Sequence, residues 1–199
     1  MLKLHLTRAN DYEGVYLQLP ATPAEIGEAW AWLDGISDDV ASTCIIGAIS
    51  DVYNISRYLK NADVNNSEQM KKLNNIAEIV NTLDRDECRL LEGALDAESV
   101  NGLDDVIAIC RQLDRYLCVP HVTTERELGI CLVDHGIKPF DESVRPYLNY
   151  LRVGNEYYSN HGGAFTASGY VVRRDSVEQD LINVIEGHGQ QSFGTMQMG

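Results

Sequence analysis

The chain has 199 residues, of which 44% are hydrophobic and 23% charged, and this balance is typical of a folded protein rather than a disordered one. Thirty acidic residues against 16 basic ones give a net charge of −14, which argues against direct binding to nucleic acid. No apolar run approaches the roughly 20 residues of a membrane-spanning helix, and five scattered cysteines favour reduced thiols, so a cytoplasmic location is expected.

Residues 1–66 predict a small β-β-α-β domain. Leucines at positions 2, 4 and 6 and apolar residues at 15, 17 and 19 indicate two antiparallel strands joined by a loop. The stretch from Thr22 to Glu25 matches a capping box and predicts a helix that ends near Gly35. The isoleucine-rich residues 43–49 predict a buried third strand, and the polar residues 61–67 predict a linker.

Residues 67–119 predict a central helical bundle, because the spacing of apolar residues changes from two to three and four. Leu73, Ile76 and Val80 line one face of the first helix. Asp84 can cap the second helix, with Glu87 in the position of the capping-box acid. Residues 103–113 predict the third helix.

Residues 120–175 predict an α+β domain, and the fold class of the whole chain is therefore α+β. A capping box from Thr124 to Glu127 predicts a helix that Gly136 ends. Polar and aromatic sequence follows, and residues 165–173 predict a strand that contains a glycine. The tail, residues 176–199, predicts one short helix, with disorder from 188 onward.

One pattern of cysteines and histidines is compatible with a metal-binding site. Cys118-x2-His121 and Cys131-x3-His135 have donor spacings that a zinc site can use. Cys131 also fits the apolar stripe of a predicted helix, so core packing is the alternative. No nucleophile signature or phosphate-binding loop is present, and the sequence predicts no catalytic residues, no metal, no cofactor and no enzymatic activity.

Four tyrosines cluster within twelve residues, at positions 147, 150, 157 and 158. Tyrosine has a large apolar face and a polar tip, and protein interfaces favour it for that reason. The cluster therefore predicts either core packing or a contact surface between subunits.

Two segments of the chain resemble the ArdA family of antirestriction proteins. Residues 72–95, beginning Lys-Leu-Asn-Asn-Ile-Ala, resemble a family pattern in which an ELN helix start is followed by a second acidic helix. Residues 146–171 resemble the C-terminal signature, which is a tyrosine-rich stretch, a glycine and a final F-T-x-x-G-Y-V strand. The order of parts is similar over residues 2–174.

The resemblance implies three small domains in an elongated, curved monomer that forms a homodimer through its C-terminal domain. It implies that carboxylates along the curve substitute for the phosphates of bent B-form DNA and occupy the DNA-binding groove of a type I restriction-modification enzyme, without catalysis. Mobile genetic elements use such proteins to enter a restricting host. A regulatory protein of the same fold that binds another basic partner is the alternative.

The acid is concentrated in the first two predicted domains. Residues 1–66 and 67–119 each have a net charge of −5, whereas residues 120–175 have −1. The expected phosphate-mimicking carboxylates are Asp84, Asp86, Glu87, Glu92, Asp96, Glu98, Asp104, Asp105, Asp114, Asp134, Asp141, Glu142 and Glu156. The expected dimer-interface residues are Tyr147, Tyr150, Gly154, Tyr157 and Tyr158.

Overall fold

The structure is a computed structural model that describes residues 1–8, 13–36 and 43–187. These residues form eight helices and two three-stranded antiparallel sheets, which confirms the predicted α+β class. The chain divides into two compact units, the first spanning Met1–Leu113 and the second beginning at Asp114. Among the described residues, no helix combines the length and apolar character needed to cross a membrane.

The first sheet contains β1 (Leu2–Arg8), β2 (Gly14–Leu19) and β3 (Thr43–Ile49) in the order β2-β1-β3. All three strands were predicted, and the alternating leucines of β1 are buried as the period of two requires. The third strand is not fully buried, however, because it lies at a sheet edge and exposes Ile46 and Ile49. A helix, α1 (Pro23–Ile36), packs against β2.

Four further helices complete the first unit: α2 (Ser56–Leu59), α3 (Ser67–Val80), α4 (Arg85–Ala97) and α5 (Leu103–Cys110). The sequence predicts the three long helices, α3, α4 and α5. Its prediction of a linker at residues 61–67 is wrong, because these residues pack against the rest of the unit. Val64 is buried, Asn65 donates to the backbone carbonyl of Thr43, and the Asn66 side chain caps α3. The predicted N-terminal domain and helical bundle therefore share one unit.

The second unit contains β4 (Tyr116–Pro120), α6 (Glu125–Asp134), α7 (Tyr150–His161), β5 (Ala164–Phe165), β6 (Gly169–Arg173) and α8 (Gln179–Ile185). β4 pairs with β6, so residues 116–119 belong to this sheet and not to the helical bundle. The predicted strand at 165–173 is a β5-β6 hairpin whose turn is closed by Thr166 and Gly169. Sequence analysis missed α7. The short tail helix is confirmed, and residues 188–199 lie outside the described part.

The core of the second unit forms between the sheet and its helices. Leu117 and Val172 of the sheet pack with Leu128 and Leu132 of α6, and Leu181 of α8 joins the same cluster. α8 is thus held against the unit by a fully buried side chain. The tail is therefore part of the fold up to at least this helix.

Candidate functional site

The N-terminus of α4 carries the first group of predicted carboxylates. Asp84 accepts hydrogen bonds from the backbone N–H groups of Asp86 and Glu87, and Glu87 accepts one from the N–H of Asp84. This reciprocal arrangement is the capping box that the sequence predicts. Asp86 forms an ion pair with Arg89 at 3.0 Å. The three carboxylates are exposed, and all of them interact favourably with the positive end of the helix dipole.

The C-terminal half of α4 carries the second group, which contacts the segment around α2. Glu92 accepts a hydrogen bond of 2.6 Å from the backbone N–H of Tyr53. Asp96 accepts bonds from Arg57 at 3.0 Å and from the Tyr58 hydroxyl at 2.5 Å. Burial and the hydrogen bond to Asp96 raise the pKa of Tyr58 to about 12, so this hydroxyl remains a donor at neutral pH.

The acids at the end of α4 have no role in stabilising the helix through its dipole. Asp96 lies in the last turn and Glu98 occupies the C-cap position, while no basic residue is present there. Negative charge at a helix C-terminus faces the negative end of the dipole and is unfavourable. Asp96 is held instead by Arg57 and the Tyr58 hydroxyl, whereas Asp84 and Glu87 form the capping box and Asp86 pairs with Arg89.

The N-terminus of α5 carries the third group. Asp105 accepts a hydrogen bond of 2.8 Å from the backbone N–H of Asn101. Asp104 pairs with Lys72 of α3 at 2.8 Å, and this hydrogen bond raises the pKa of the lysine. Gly102 occupies the N-cap position of α5 and has no side chain to cap the helix. Asp104 and Asp105 are the acidic residues in its first turn.

The hydrogen-bond donors divide these carboxylates into two classes. Donors that are backbone N–H groups fix a carboxylate in place without cancelling its charge, whereas an arginine or lysine removes most of its field at a distance. The first class is Asp84, Glu87, Glu92 and Asp105. The second class is Asp86, Asp96 and Asp104. The first class therefore supplies fixed negative charges on α4 and α5, and backbone N–H groups hold Glu25 and Asp63 in the same way elsewhere in the first unit.

The five acids predicted in the second unit do not form a comparable group. Asp134 and Glu142 both lie near Arg145, at 3.8 and 3.6 Å, and Asp141 is hydrogen-bonded by Ser143. Asp114 and Glu156 are exposed in separate elements. Residues 114–199 have a net charge of −4, whereas residues 1–113 have −10. The eight acids predicted in the first unit thus lie along α4, at its caps and at the start of α5, whereas the five in the second unit lie in separate parts of the chain.

Two of the predicted dimer-interface residues are buried in the chain itself. Tyr157 lies in the core of the second unit and its hydroxyl donates to Glu178 at 2.6 Å. Gly154 is buried where α7 crosses α6. Neither can offer surface to a partner, so their assignment to an interface was wrong.

The other three tyrosines remain at least partly accessible. Tyr147 is 86% exposed and Tyr158 is also exposed. Tyr150 is half-buried, and its hydroxyl donates a hydrogen bond to the backbone carbonyl of Arg145. Phe140, Val144 and Leu151 are large apolar side chains exposed close to Tyr147 in the sequence. Four large apolar side chains are thus exposed within residues 140–151.

The candidate zinc ligands do not converge. In the described residues, no three His, Cys, Asp or Glu side chains are placed to hold a metal ion. Cys131 and His135 lie 3.7 Å apart on one helix, but His135 Nδ1 also contacts the carbonyl of Cys131 at 2.8 Å. Burial raises the pKa of the Cys131 thiol, which disfavours the thiolate that zinc requires.

Sequence analysis missed a polar cluster at the start of α8. Glu178 accepts from the Tyr157 hydroxyl at 2.6 Å and lies 3.4 Å from Lys138 and 3.8 Å from His161. Burial raises the pKa of Glu178, but these partners outweigh it and the net pKa lies below the ordinary value. Tyr157 and His161 lie one turn apart on α7, but Lys138 and Glu178 come from other segments, so no local pattern could have revealed the cluster.

Comparison with known protein families gives no match, and no curated protein is significantly similar to this chain. The ArdA resemblance therefore rests on the two sequence segments described above.

Proposed function

We propose that this chain is an antirestriction protein that binds, without catalysis, in the DNA-binding groove of a type I restriction-modification enzyme. The observation that carries the proposal is the set of fixed carboxylates on α4 and α5. Asp84, Glu87, Glu92 and Asp105 are each held by a backbone N–H group, so their charge is retained and their position is restricted. Such charges bind a rigid array of lysines and arginines with little loss of side-chain entropy.

The distribution of charge supports the same proposal. The first unit holds 19 acidic and nine basic residues. A surface with this excess attracts a protein groove that normally receives DNA phosphates, and it repels DNA itself.

The proposal includes a homodimer. We infer that the exposed apolar residues at 140–151 form the contact, since Tyr157 and Gly154 are buried within the chain. Contiguous patches of apolar side chains at the surface of a protein mark sites of association, and the proposal requires that these residues form one. Dimerisation would present two acidic surfaces to one multisubunit enzyme.

The test is a competition experiment. Purified protein is titrated into a type I methyltransferase bound to labelled DNA that carries its recognition site, at several salt concentrations. We expect displacement near stoichiometric protein, weakening as salt rises because charges carry the binding. Absence of displacement by a folded protein would refute the proposal and favour the alternative, a regulatory protein with a different basic partner.

A matched pair of variants identifies the surface. The test variant is Asp84→Asn, Glu87→Gln, Glu92→Gln and Asp105→Asn, which keeps the hydrogen-bond acceptors while removing four charges. The control is Asp63→Asn, Glu125→Gln, Glu127→Gln and Asp180→Asn, which has the same net charge. We expect the test variant to need at least about tenfold more protein for displacement, and the control to stay within about twofold. Equal losses in both would show that only total charge matters.

A further inference from the structure

A groove of about 300 Å³ lies between strand β2 and helix α1 in the first unit. Tyr16 and Gln18 of the strand form one side of it, and Glu25, Glu28 and Trp32 of the helix form the other. The helix residues are spaced by three and four positions, so they share one helix face. Both aromatic side chains are largely exposed, Tyr16 at 55% and Trp32 at 44%.

The strand side of the groove is a sheet edge. β2 is the outer strand in the order β2-β1-β3, and no described strand pairs with its other side. In an antiparallel ladder, alternate residues point their N–H and C=O groups away from the neighbouring strand. An edge of this kind is a template on which a further extended segment can pair.

The helix side of the groove provides negative charge and aromatic faces. Glu25 accepts hydrogen bonds from the backbone N–H and the hydroxyl of Thr22, and these bonds lower its pKa, so it is ionised at neutral pH. Glu28 is exposed, with no partner among the described residues. His5 stacks on Tyr16 with ring centroids 4.4 Å apart and so restricts its ring. Carboxylates and aromatic faces together favour lysine or arginine side chains.

We propose that this groove binds an extended basic peptide segment of a partner protein, which adds a strand to β2. Hydrogen bonds between the peptide backbone and the β2 edge provide the affinity. Glu28 selects a basic side chain of the peptide, and Trp32 selects an apolar one. A second copy of this chain is a poor occupant, because it would bring another β2-α1 carboxylate pair and another net charge of −14 to the groove. This inference is independent of the proposed antirestriction function, which uses α4 and α5.

The experiment uses the full chain and a blocked six-residue peptide of alternating lysine and valine, which matches the six residues of β2. Binding is measured by calorimetry and by the amide chemical shifts of 15N-labelled protein. We expect saturable binding with the largest shifts at β2 and α1. The same peptide with every backbone amide N-methylated should not bind, because it cannot pair with an edge strand. Equal binding of the methylated peptide, or of a peptide with glutamate in place of lysine, would overturn the proposal.

Variants separate the groove from the general acidity of the chain. Glu28→Lys should weaken peptide binding about tenfold, since it replaces an attractive charge by a repulsive one. Trp32→Ala should weaken binding without changing its salt dependence. The control is Glu78→Lys, an exposed charge reversal on α3 outside the groove, and it should leave affinity within about twofold. Equal effects of Glu28→Lys and Glu78→Lys, or a self-association that the peptide disrupts, would contradict the proposal.

Discussion

Gly129 and Gly154 lie against each other where α6 and α7 cross, and neither helix has room for a side chain at that point. A Cβ atom at Gly154 would lie 2.9 Å from the backbone nitrogen of Gly129 and would overlap the carbonyl of Glu125. A Cβ atom at Gly129 would overlap the carbonyl of Tyr150. Backbone contact between the two helices therefore depends on both glycines.

We expect Gly154→Ala to lower the free energy of unfolding by about 1–3 kcal/mol, because the added methyl group must separate two packed backbones. The matched control is Gly27→Ala in α1, where an added Cβ meets nothing within 4 Å. There the same change should stabilise by up to about 1 kcal/mol through helix propensity. Urea unfolding followed by circular dichroism measures both. A stabilising effect of Gly154→Ala would contradict the observed crossing.

The capping box of α4 allows the charge of Asp84 to be separated from its structural role. Asp84→Ala should lower the free energy of unfolding by about 1 kcal/mol, because the N–H groups of Asp86 and Glu87 lose their acceptor. Asp84→Asn should be nearly neutral, since asparagine is an equally good N-cap. Chemical unfolding of the two variants side by side is the measurement. Equal destabilisation would mean that the charge, rather than the acceptor, stabilises the helix.

Glu178 should make stability depend on pH in the acid range. The pKa of Glu178 in the folded state lies below its ordinary value of 4.5. The ionised carboxylate therefore stabilises the fold fully above pH 4.5, and this stabilisation is lost as pH falls through the folded-state pKa. Glu178→Gln should therefore be less stable than the parent at pH 7, and the difference in the free energy of unfolding should shrink as pH falls below 4.5.

Urea unfolding at several pH values tests this, with Asp180→Asn as a control on the same helix. Asp180 is exposed and lies outside the Glu178 cluster, so its variant should keep the pH dependence that Glu178→Gln loses. A difference between parent and Glu178→Gln that stays constant with pH would show that the carboxylate of Glu178 is not stabilised by Tyr157, Lys138 and His161.

The proposed dimer contact predicts a specific effect of Tyr147. Tyr147→Ser should weaken self-association by at least about tenfold, because an exposed aromatic side chain of an interface often carries much of its energy. Tyr53→Ser is the control, since Tyr53 is 90% exposed and lies in the first unit. Sedimentation velocity over a range of concentrations measures both. A chain that is monomeric throughout the range would refute the dimer.

Several elements could be predicted from the sequence because their causes are local. The caps at Thr22 and Asp84 join groups only three residues apart, and the period of two in β1 directly reflects the face that it buries. The amphipathic spacing of α3 and α4 reflects their buried faces in the same way. Predictions of this kind need no knowledge of which segment lies beside which.

The wrong predictions concern features that depend on contacts between segments distant in the sequence. β4 contains apolar residues that suit a helix end as well as a strand, and only its pairing with β6 decides the matter. Tyr157 and Tyr147 belong to one cluster in the sequence, yet one is buried in the core and the other is almost fully exposed. Nothing in their local sequence distinguishes them.

The amino-acid sequence by itself determined the α+β class, the long helices, the positions of their caps and the excess of acid in the first 119 residues. Tertiary structure alone decided which carboxylates pair with a cation, because Arg57 and Lys72 reach Asp96 and Asp104 from 39 and 32 residues away, while Glu92 accepts a hydrogen bond from the backbone N–H of Tyr53. The reason is physical. Hydrogen bonds within a helical turn are specified by neighbouring residues, whereas the field of a charge depends on every group that folding brings near it.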